Sequence, residues 1–344
     1  MRYRKLGRSG LLVSELCLGT NMYGGAGDKF WKNFGGLGQA QVDAVIARAL
    51  EGGVNFIDTA DGYSMGESET LVGQALRNLK VERAQLVVCT KGGMATSPGP
   101  NGGGASRAHL LHACEQSLRR LQTDYIDLYL LHTYDSLTPF EETLRAFDDL
   151  VRAGKVRYVG CCNFAAWEVM KALGISERER LARFEIVQCN WSLATRDIER
   201  EVVPLARSEG VGIMAWGALL SGVLTGKYQR DGSSDRPGRF GGAIRPPLDH
   251  GRVHDIVDVL RAVAAAHEVT AAEIALAFLL HEPAATSIIF GATRPEQVAA
   301  NLRASGLKLT ADEYQCIDQV SALVPDFASH LLGAGRTARA RQYT

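Results

Sequence analysis

Eight short apolar runs recur along the chain, and each is followed by a stretch with the periodicity of an amphipathic helix. The runs are continuous and rich in β-branched residues, which is typical of parallel strands covered on both faces. Eight strands that alternate with helices, without a long polar linker, predict one (β/α)8 TIM barrel, a single domain over residues 1–344. The runs cover residues 15–20, 54–59, 85–91, 125–132, 155–163, 184–190, 211–217 and 286–292.

The alternative architecture is a doubly wound sheet divided between two domains. Such a sheet normally carries a G-x-G-x-x-G turn after an early strand, and no such turn opens a helix in this sequence. Several helix starts can also be read from T-x-x-E spacing, which predicts a capping box. These predicted starts are at Thr138, Thr270, Thr293 and Thr310.

Three segments lie outside the strand–helix repeat. Residues 1–13 contain two apolar patches around Gly7–Gly10 and predict an N-terminal β-hairpin at one end of the barrel. Residues 228–250 are rich in Gly, Pro and Arg, and residues 322–344 form a tail that begins apolar and turns basic. Long loops in compact domains are usually functional, so we expect both as lid candidates at the C-terminal face.

Composition narrows the classes of partner. Lys and Arg total 38 and Asp and Glu total 38 in 344 residues, so the formal net charge is zero. A balanced charge gives no general attraction to nucleic acid or to an anionic membrane. No run of about 18 apolar residues is present, and the seven cysteines lack zinc-like spacing. We therefore expect a cytoplasmic protein with no nucleic-acid partner, no membrane partner and no metal.

Polar or special residues follow nearly every apolar run. Barrel enzymes build their active sites at the C-terminal ends of the strands, where side chains and loops converge on one mouth. A single polar residue at such a position is usually a solvated strand end, but a contribution from all eight strands indicates a site. These residues are Thr20, Asn21, Asp58, Lys91, His132, Asn163, Gln188, Asn190, Trp216 and Gly291.

Four of these strand-end and loop residues form a chemical set. Lys91 begins inside the barrel mouth and needs an opposite charge, which Asp58 on the neighbouring strand can supply. A cation close to Tyr63 would lower the pKa of its phenol and favour proton transfer. His132 could orient a substrate oxygen or relay a proton. This set suits protonation of an alkoxide, the second half of a carbonyl reduction that begins with hydride from a nicotinamide.

The chain resembles the aldo-keto reductase superfamily in a series of ordered motifs. They are FIDTADGY, TKGG, LLH, GCCNF, VQCNWSL, WGALLSGVLTGKY and GATRPEQVAANL, and they span nearly the whole sequence. The resemblance implies a (β/α)8 barrel, NADPH-dependent reduction of aldehydes and ketones, and a catalytic tetrad of Asp58, Tyr63, Lys91 and His132. Tyr63 would be the general acid.

The resemblance also implies the NADPH site. Asn163 and Gln188 would hold the nicotinamide carboxamide, Trp216 would stack on its ring, and Gly217–Ser221 would bind the pyrophosphate. Cys162 stands where the family usually has serine, and a thiol is a weaker hydrogen-bond partner. Arg294 at the start of a helix suits the 2′-phosphate, which favours NADPH over NADH. The full predicted set is Thr20, Asn21, Asp58, Cys162, Asn163, Gln188, Trp216, Gly217, Ala218, Leu219, Ser221, Lys227, Gly291, Thr293, Arg294, Gln297 and Asn301.

The substrate is predicted only as a small-molecule carbonyl compound bound in a mouth with aromatic walls. The predicted substrate residues are Tyr23, Trp31, Tyr63, His132, Tyr134 and Trp191. Two other functions stay open at this point. The chain could be an NADPH-binding regulatory or accessory protein, like the potassium-channel β subunits that it also resembles, or a lyase that uses Lys91 as a Schiff-base amine. The sequence leaves the oligomeric state open.

Overall fold

The N-terminal segment forms the predicted hairpin. In the computed structural model, which describes residues 1–228, 230, 249–324, 327 and 331, strands β1 (Tyr3–Lys5) and β2 (Leu12–Ser14) pair antiparallel. Leu6 and Val13 are fully buried and pack against apolar side chains inside the barrel. Gly7 has a positive φ of 54°, and a Cβ there would lie 2.1 Å from the carbonyl oxygen of Glu185. The hairpin therefore closes the end of the barrel at which the strands begin.

Eight parallel strands form a closed barrel, and this confirms the predicted (β/α)8 architecture over the doubly wound alternative. Each strand pairs with its neighbours in chain order, and the last strand pairs with the first. They are β3 (Leu16–Gly19), β4 (Phe56–Asp58), β5 (Val87–Gly92), β6 (Ile126–Leu131), β7 (Val156–Cys162), β8 (Phe184–Asn190), β9 (Gly212–Trp216) and β10 (Ala285–Gly291).

Helices surround the barrel and cover the outer faces of the strands. A large apolar cluster lies between the strands and the helices, and a smaller one fills the barrel interior. The helices are α1 (Gln39–Glu51), α2 (Glu67–Asn78), α3 (Arg107–Leu121), α4 (Phe140–Arg152), α5 (Ala166–Glu179), α6 (Val202–Glu209), α7 (His250–Ala266), α8 (Ala271–Leu280), α9 (Pro295–Leu302) and α10 (Ala311–Ser321).

Two of the four predicted capping boxes form. The hydroxyl of Thr270 accepts the backbone N–H of Glu273, whose carboxylate accepts the N–H of Thr270 in return. Thr310 and Glu313 make the same pair of bonds at the start of α10. Both helices therefore begin where the spacing predicts.

The other two capping boxes were predicted wrongly because each helix begins one residue later than the T-x-x-E spacing predicts. Thr138 donates to the Asp135 carboxylate, and α4 begins after Pro139. The hydroxyl and the N–H of Thr293 both donate to the side-chain oxygen of Gln297. The N-cap residue of α9 is accordingly Arg294.

Most of the two predicted lid segments, 228–250 and 322–344, lies outside the described residues. In the part of the chain that is described, no single helix has the length and apolar character needed to cross a membrane; α7 and α8 reach it only as a pair bent by 96°.

Candidate active site

Lys91 lies at the centre of the barrel mouth. Its side chain is fully buried near the end of β5. The ammonium donates to Asp58 Oδ2 at 2.8 Å, to the backbone oxygen of Thr59 at 2.8 Å and to the hydroxyl oxygen of Tyr63 at 3.1 Å. An ammonium has three hydrogens. Each of them therefore has an acceptor, and one acceptor is the phenol oxygen.

The Asp58–Lys91 pair keeps the lysine charged despite its burial. Burial lowers the pKa of Lys91, but the Asp58 carboxylate and the nearby Tyr63 raise it, and the net pKa is well above its ordinary value. Asp58 is only 2% exposed. A buried charge is tolerated when a partner charge and further hydrogen bonds surround it, as they do here.

Tyr63 sits on the loop that follows β4. The backbone N–H of Asp61 donates to the backbone oxygen of Lys91 at 3.1 Å and ties this loop to β5. After Tyr63, Ser64 and Met65 adopt positive φ values of 49° and 54°, a left-handed backbone that non-glycine residues rarely adopt. The chain thus accepts local strain directly beside the phenol.

The phenol of Tyr63 remains protonated at neutral pH. Burial raises the pKa of Tyr63 above its ordinary value, and this effect exceeds the opposing influence of the Lys91 charge. The sequence prediction of a lowered pKa for Tyr63 is therefore wrong for the protein without ligand, although Lys91 acts in the expected direction. A protonated phenol is the form that a proton donor requires.

His132 follows β6 and lies beside Tyr63. The two rings meet edge to face with centroids 5.7 Å apart. Burial and, second, the Lys91 charge lower the pKa of His132 to about 3, so the imidazole is neutral. Its Nδ1 is buried and has no hydrogen-bond partner among the described residues. A neutral imidazole has one N–H to donate and one nitrogen to accept.

A row of polar side chains continues from Asp58 across the mouth. Gln188 Nε2 donates to Asp58 Oδ1 at 2.8 Å, and the Cys162 thiol donates to Gln188 Oε1 at 3.5 Å. Asn163 Nδ2 donates to Cys162 Sγ at 3.1 Å, and Trp216 Nε1 donates to Asn163 Oδ1 at 2.9 Å. The structure thus brings the predicted carboxamide and ring-stacking residues into one network with the predicted tetrad.

The loop after β9 has the backbone of an anion cradle. Leu220, Ser221 and Gly222 have consecutive positive φ values of 49°, 53° and 89°. The N–H groups of Ala218 and Leu219 have no acceptor in the described part of the chain. Free backbone N–H groups in a tight turn are a feature of anion-binding loops.

Two glycines keep this loop open. Gly217 has a φ of 72°, and a Cβ there would lie 2.4 Å from Asn190 Nδ2. At Gly222 a Cβ would lie 2.9 Å from the Lys227 ammonium. Among the described residues the Lys227 ammonium has no acidic or hydrogen-bond partner, and it lies 5.1 Å from the centroid of the Tyr228 ring. Pyrophosphate is the kind of group that this combination of cation and free N–H groups fits.

The second predicted phosphate region is the start of α9. Arg294 is exposed and has no acidic partner in the described part of the chain. Gln297 folds back to accept from Thr293, and Asn301 is 7% exposed on the same helix. An unpaired arginine at a helix N-terminus suits a phosphate group.

The remaining predicted cofactor residues lie at the ends of β3 and β10. Thr20 is fully buried, and its hydroxyl donates to the backbone oxygen of Asp58 at 3.0 Å. Asn21 is partly exposed in the turn after β3, and Gly291 is exposed and pairs with Gly19. Thr20 therefore supports the strand that carries Asp58.

One predicted substrate residue lies against the phenol. The Trp31 and Tyr63 ring centroids are 6.0 Å apart. Phe30 and Phe34 pack on Trp31 with centroid distances of 5.3 and 5.2 Å. This cluster forms an aromatic wall beside Tyr63.

Three other predicted substrate residues pack against protein side chains. Trp191 is 2% exposed, and its indole N–H donates to Glu199 at 2.9 Å. Tyr134 stacks on Phe140 at a centroid distance of 5.5 Å. Tyr23 is fully buried, and its hydroxyl has no partner among the described residues. These contacts follow the path of the loop after each strand, and a role in substrate binding stays a prediction for all three.

A model of the aldo/keto reductase family matches residues 15–322 of this chain. The chain belongs to the aldo/keto reductase family. It is 36% identical over 315 residues, 88% of this chain and 91% of the relative, to a probable voltage-gated potassium channel subunit beta of Arabidopsis thaliana. It is 33% identical to an aryl-alcohol dehydrogenase of Pestalotiopsis microspora, covering 99% of this chain and 88% of the relative.

Norsolorinic acid reductase of Aspergillus flavus is similar as well, with 33% identity over 94% of this chain and 82% of that protein. Relatives of this aldo/keto reductase chain thus carry the names of oxidoreductases and of channel subunits. The choice between these two functions depends on the site.

One buried carboxylate beside the predicted tetrad received no role from the sequence. Asp61 is 1% exposed, and neither carboxylate oxygen has a partner with good hydrogen-bond geometry among the described residues, although the nearby Gly62 backbone N–H opposes the rise in its pKa. Burial and, second, the Glu69 charge raise the pKa of Asp61 to about 8. Its place in the motif between Asp58 and Tyr63 was the available signal, but an acidic loop residue is usually solvated.

Proposed function

We propose that this protein is an NADPH-dependent oxidoreductase that reduces aldehydes or ketones to alcohols, with Tyr63 as proton donor. The observation that supports this most strongly is the third hydrogen bond of Lys91. Because the ammonium donates to the Tyr63 oxygen, at 3.1 Å, that oxygen acts as an acceptor and its own hydrogen is free for another group. A carbonyl oxygen in the mouth is a suitable acceptor.

The proton transfer follows from this arrangement. NADPH, when bound, supplies a hydride for the carbonyl carbon. Tyr63 gives its proton to the carbonyl oxygen as negative charge develops there, and the resulting phenolate keeps the Lys91 hydrogen bond. Asp58 holds the lysine in its charged form throughout. A proton from solvent then restores the phenol.

His132 has a separate task in this proposal. As a neutral imidazole it can donate one hydrogen bond to the carbonyl oxygen without competing with Tyr63 for the role of acid. Two donors on one oxygen orient the carbonyl and stabilise the developing charge. Trp31 would cover the substrate from the side of the aromatic wall.

The cofactor assignment is supported by the polar residues and free backbone N–H groups that follow the strands at the mouth. Asn163, Gln188 and Trp216 would hold the nicotinamide, and the N–H groups of Ala218 and Leu219, with Lys227, would hold the pyrophosphate. Arg294 would bind the 2′-phosphate that distinguishes NADPH from NADH.

The experiment measures NADPH oxidation with a panel of aldehydes and ketones, for the wild type and for Tyr63→Phe. The wild type is expected to reduce at least one class of carbonyl. Tyr63→Phe keeps the ring but loses the proton, so we expect its rate to fall by about 10²- to 10⁴-fold. The proposal would be abandoned if the variant reduced carbonyls as fast as the wild type.

A second candidate function is an NADPH-binding accessory protein with weak or no turnover. The observation that favours it is the similarity to potassium channel subunits of Arabidopsis thaliana and of rice, at 36% and 34% identity. Tight NADPH binding, together with negligible oxidation over the whole carbonyl panel, would support this function over the first.

Schiff-base chemistry at Lys91 has less support. A Schiff base requires a neutral amine with a free lone pair, but the Lys91 ammonium has all three hydrogens in hydrogen bonds and lies beside Asp58. Borohydride should therefore trap no carbonyl ligand on Lys91.

A further inference from the structure

The Asp58 carboxylate is held from two sides. One oxygen accepts from Lys91, and the other accepts from Gln188 at 2.8 Å. Asp58 ends β4 and Gln188 lies on β8, four strands away around the barrel, so this bond crosses the barrel interior. Both side chains are 2% exposed. Water is therefore a poor substitute for the amide donor.

The orientation of the Gln188 amide is fixed by its neighbours. A carboxylate needs a donor, so the nitrogen of the amide faces Asp58 and the oxygen faces the Cys162 thiol, 3.5 Å away. Cys162 in turn accepts from Asn163 at 3.1 Å. An amide held at both ends keeps its donor on Asp58 in a single geometry.

We propose that Gln188 is a positioning residue that acts on the proton donor through Asp58 and Lys91, beyond any contact it makes with the cofactor. Asp58 directs the ammonium, and the ammonium meets the Tyr63 oxygen at 3.1 Å. Without the amide donor one Asp58 oxygen would be buried and unpaired, and the carboxylate would turn more fully toward Lys91. The ammonium would follow it and leave the phenol oxygen.

The inference rests on the proposed reductase function and predicts a particular kinetic pattern. Gln188→Leu should lower kcat at saturating NADPH by about 10- to 100-fold, the loss expected for a hydrogen bond to a charged group. The Kd for NADPH, measured by direct titration, should change by a clearly smaller factor. If Gln188 only held the carboxamide, its loss would raise the Kd for NADPH by the larger factor and change kcat by the smaller one.

Gln188→Glu distinguishes a positioning role of Gln188 from a purely structural one. Two carboxylates at this distance share one proton, and the protonated pair restores the donor to Asp58. The kcat of this variant should therefore recover as pH falls, whereas that of Gln188→Leu should not. Gln315→Glu, at an exposed position on α10, is the matched control for the change from amide to carboxylate.

Denaturant unfolding of Gln188→Glu tests the contact between residue 188 and Asp58 without requiring catalytic turnover. The shared proton raises the pKa of the pair formed by Asp58 and the introduced carboxyl group, so the folded variant binds more protons than the unfolded chain. The urea midpoint of Gln188→Glu should therefore fall relative to that of the wild type as pH rises from about 5 to about 8. The midpoint of Gln188→Leu should change with pH in parallel with that of the wild type.

The outcomes separate the inference from the proposed function. If the wild type reduces no carbonyl but Gln188→Glu still shows the pH-dependent midpoint, the reductase proposal fails and the Gln188–Asp58 contact stands. If the variants keep kcat and lose only NADPH affinity, or if Gln188→Glu shows no pH dependence in either measurement, the inference is overturned.

Discussion

The two ends of the barrel use charge in different ways. At the end closed by the hairpin, Glu15 is fully buried and accepts from Arg2 at 2.8 Å and from Arg4 at 3.2 Å. Arg4 also donates to the backbone oxygens of Leu280, Glu282 and Ala285. Every charged group in this cluster has a partner, which is the pattern of a structural network.

At the mouth, several groups keep unused hydrogen-bonding capacity. Among the described residues, no protein acceptor meets the hydroxyl hydrogen of Tyr63 or the N–H groups of Ala218 and Leu219. The Nδ1 of His132 likewise has no hydrogen-bond partner there. Unsatisfied polar groups cost stability and are retained where a ligand can satisfy them. Substitutions at the closed end should therefore affect folding, and substitutions at the mouth should affect the chemical step.

The largest effect is expected for Lys91→Met. The variant removes the charge that stabilises the Tyr63 phenolate, so carbonyl reduction should fall by about 10³-fold or more. It also leaves the buried Asp58 charge unpaired, which should cost about 3–5 kcal/mol of unfolding free energy. Single-turnover kinetics and urea unfolding measure the two losses.

Lys155→Met is the control for that variant, because it removes a lysine whose side chain is 41% exposed and pairs with Glu115. It should lose less than about 1 kcal/mol and keep the rate. If Lys91→Met reduced carbonyls at the wild-type rate, the claim that substitutions at the mouth affect chemistry would be contradicted.

Asp61→Asn should change how stability depends on pH. Burial raises the pKa of Asp61 from its ordinary 3.8 to about 8, so between these pH values the folded chain binds more protons than the unfolded chain. The contribution of Asp61 to stability is then greatest at acidic pH and is lost as pH rises through about 8, on the order of 1 kcal/mol per pH unit.

The Asn variant lacks this titration, so at pH 8 it should be more stable than the wild type. Urea unfolding of both proteins at several pH values gives the comparison. Parallel curves for the two proteins would show that Asp61 has a partner in solution and does not titrate with a raised pKa.

Glu15→Gln tests the closed end. The amide cannot pair with both arginines as a carboxylate does, so the unfolding free energy should fall by about 1–3 kcal/mol. The mouth is at the opposite end of the barrel, so kcat and KM per folded molecule should not change. An altered kcat would indicate that the two ends are coupled through the strands.

Arg294→Gln should have the smallest effect, and this effect should be confined to the affinity for the cofactor. Loss of one charged hydrogen bond to a phosphate should weaken NADPH binding by about 10-fold, close to 1.4 kcal/mol. NADH lacks that phosphate and serves as the internal control within the same variant. Equal weakening for both cofactors would assign Arg294 to a different part of the nucleotide.

The strands could be predicted from the sequence because the apolar runs are continuous and their limits are set by glycine and polar residues. The run at 184–190 matches β8 in full, and the run at 286–292 differs from β10 by one residue at each end. The convergence of Asp58, Tyr63, Lys91 and His132 at the mouth was also predictable, since strand ends of a closed barrel converge.

Side-chain directions beyond the strand ends were not predictable. Trp191 follows β8 directly, and its indole N–H donates to Glu199 eight residues later. The bond from Gln188 to Asp58 joins residues 130 positions apart, and its partner is determined by the closure of the barrel and not by local sequence. Such contacts depend on the packed geometry.

The most direct test of the account measures the proton on Tyr63. Protein labelled with ¹³C at the tyrosine ring carbon that bears the hydroxyl reports phenol and phenolate by NMR, and Tyr63→Phe assigns the Tyr63 signal. Because burial raises the pKa of Tyr63, the ligand-free protein should show the phenol up to about pH 10. A Tyr63 phenolate at neutral pH would contradict the account, since that residue would have no proton to give.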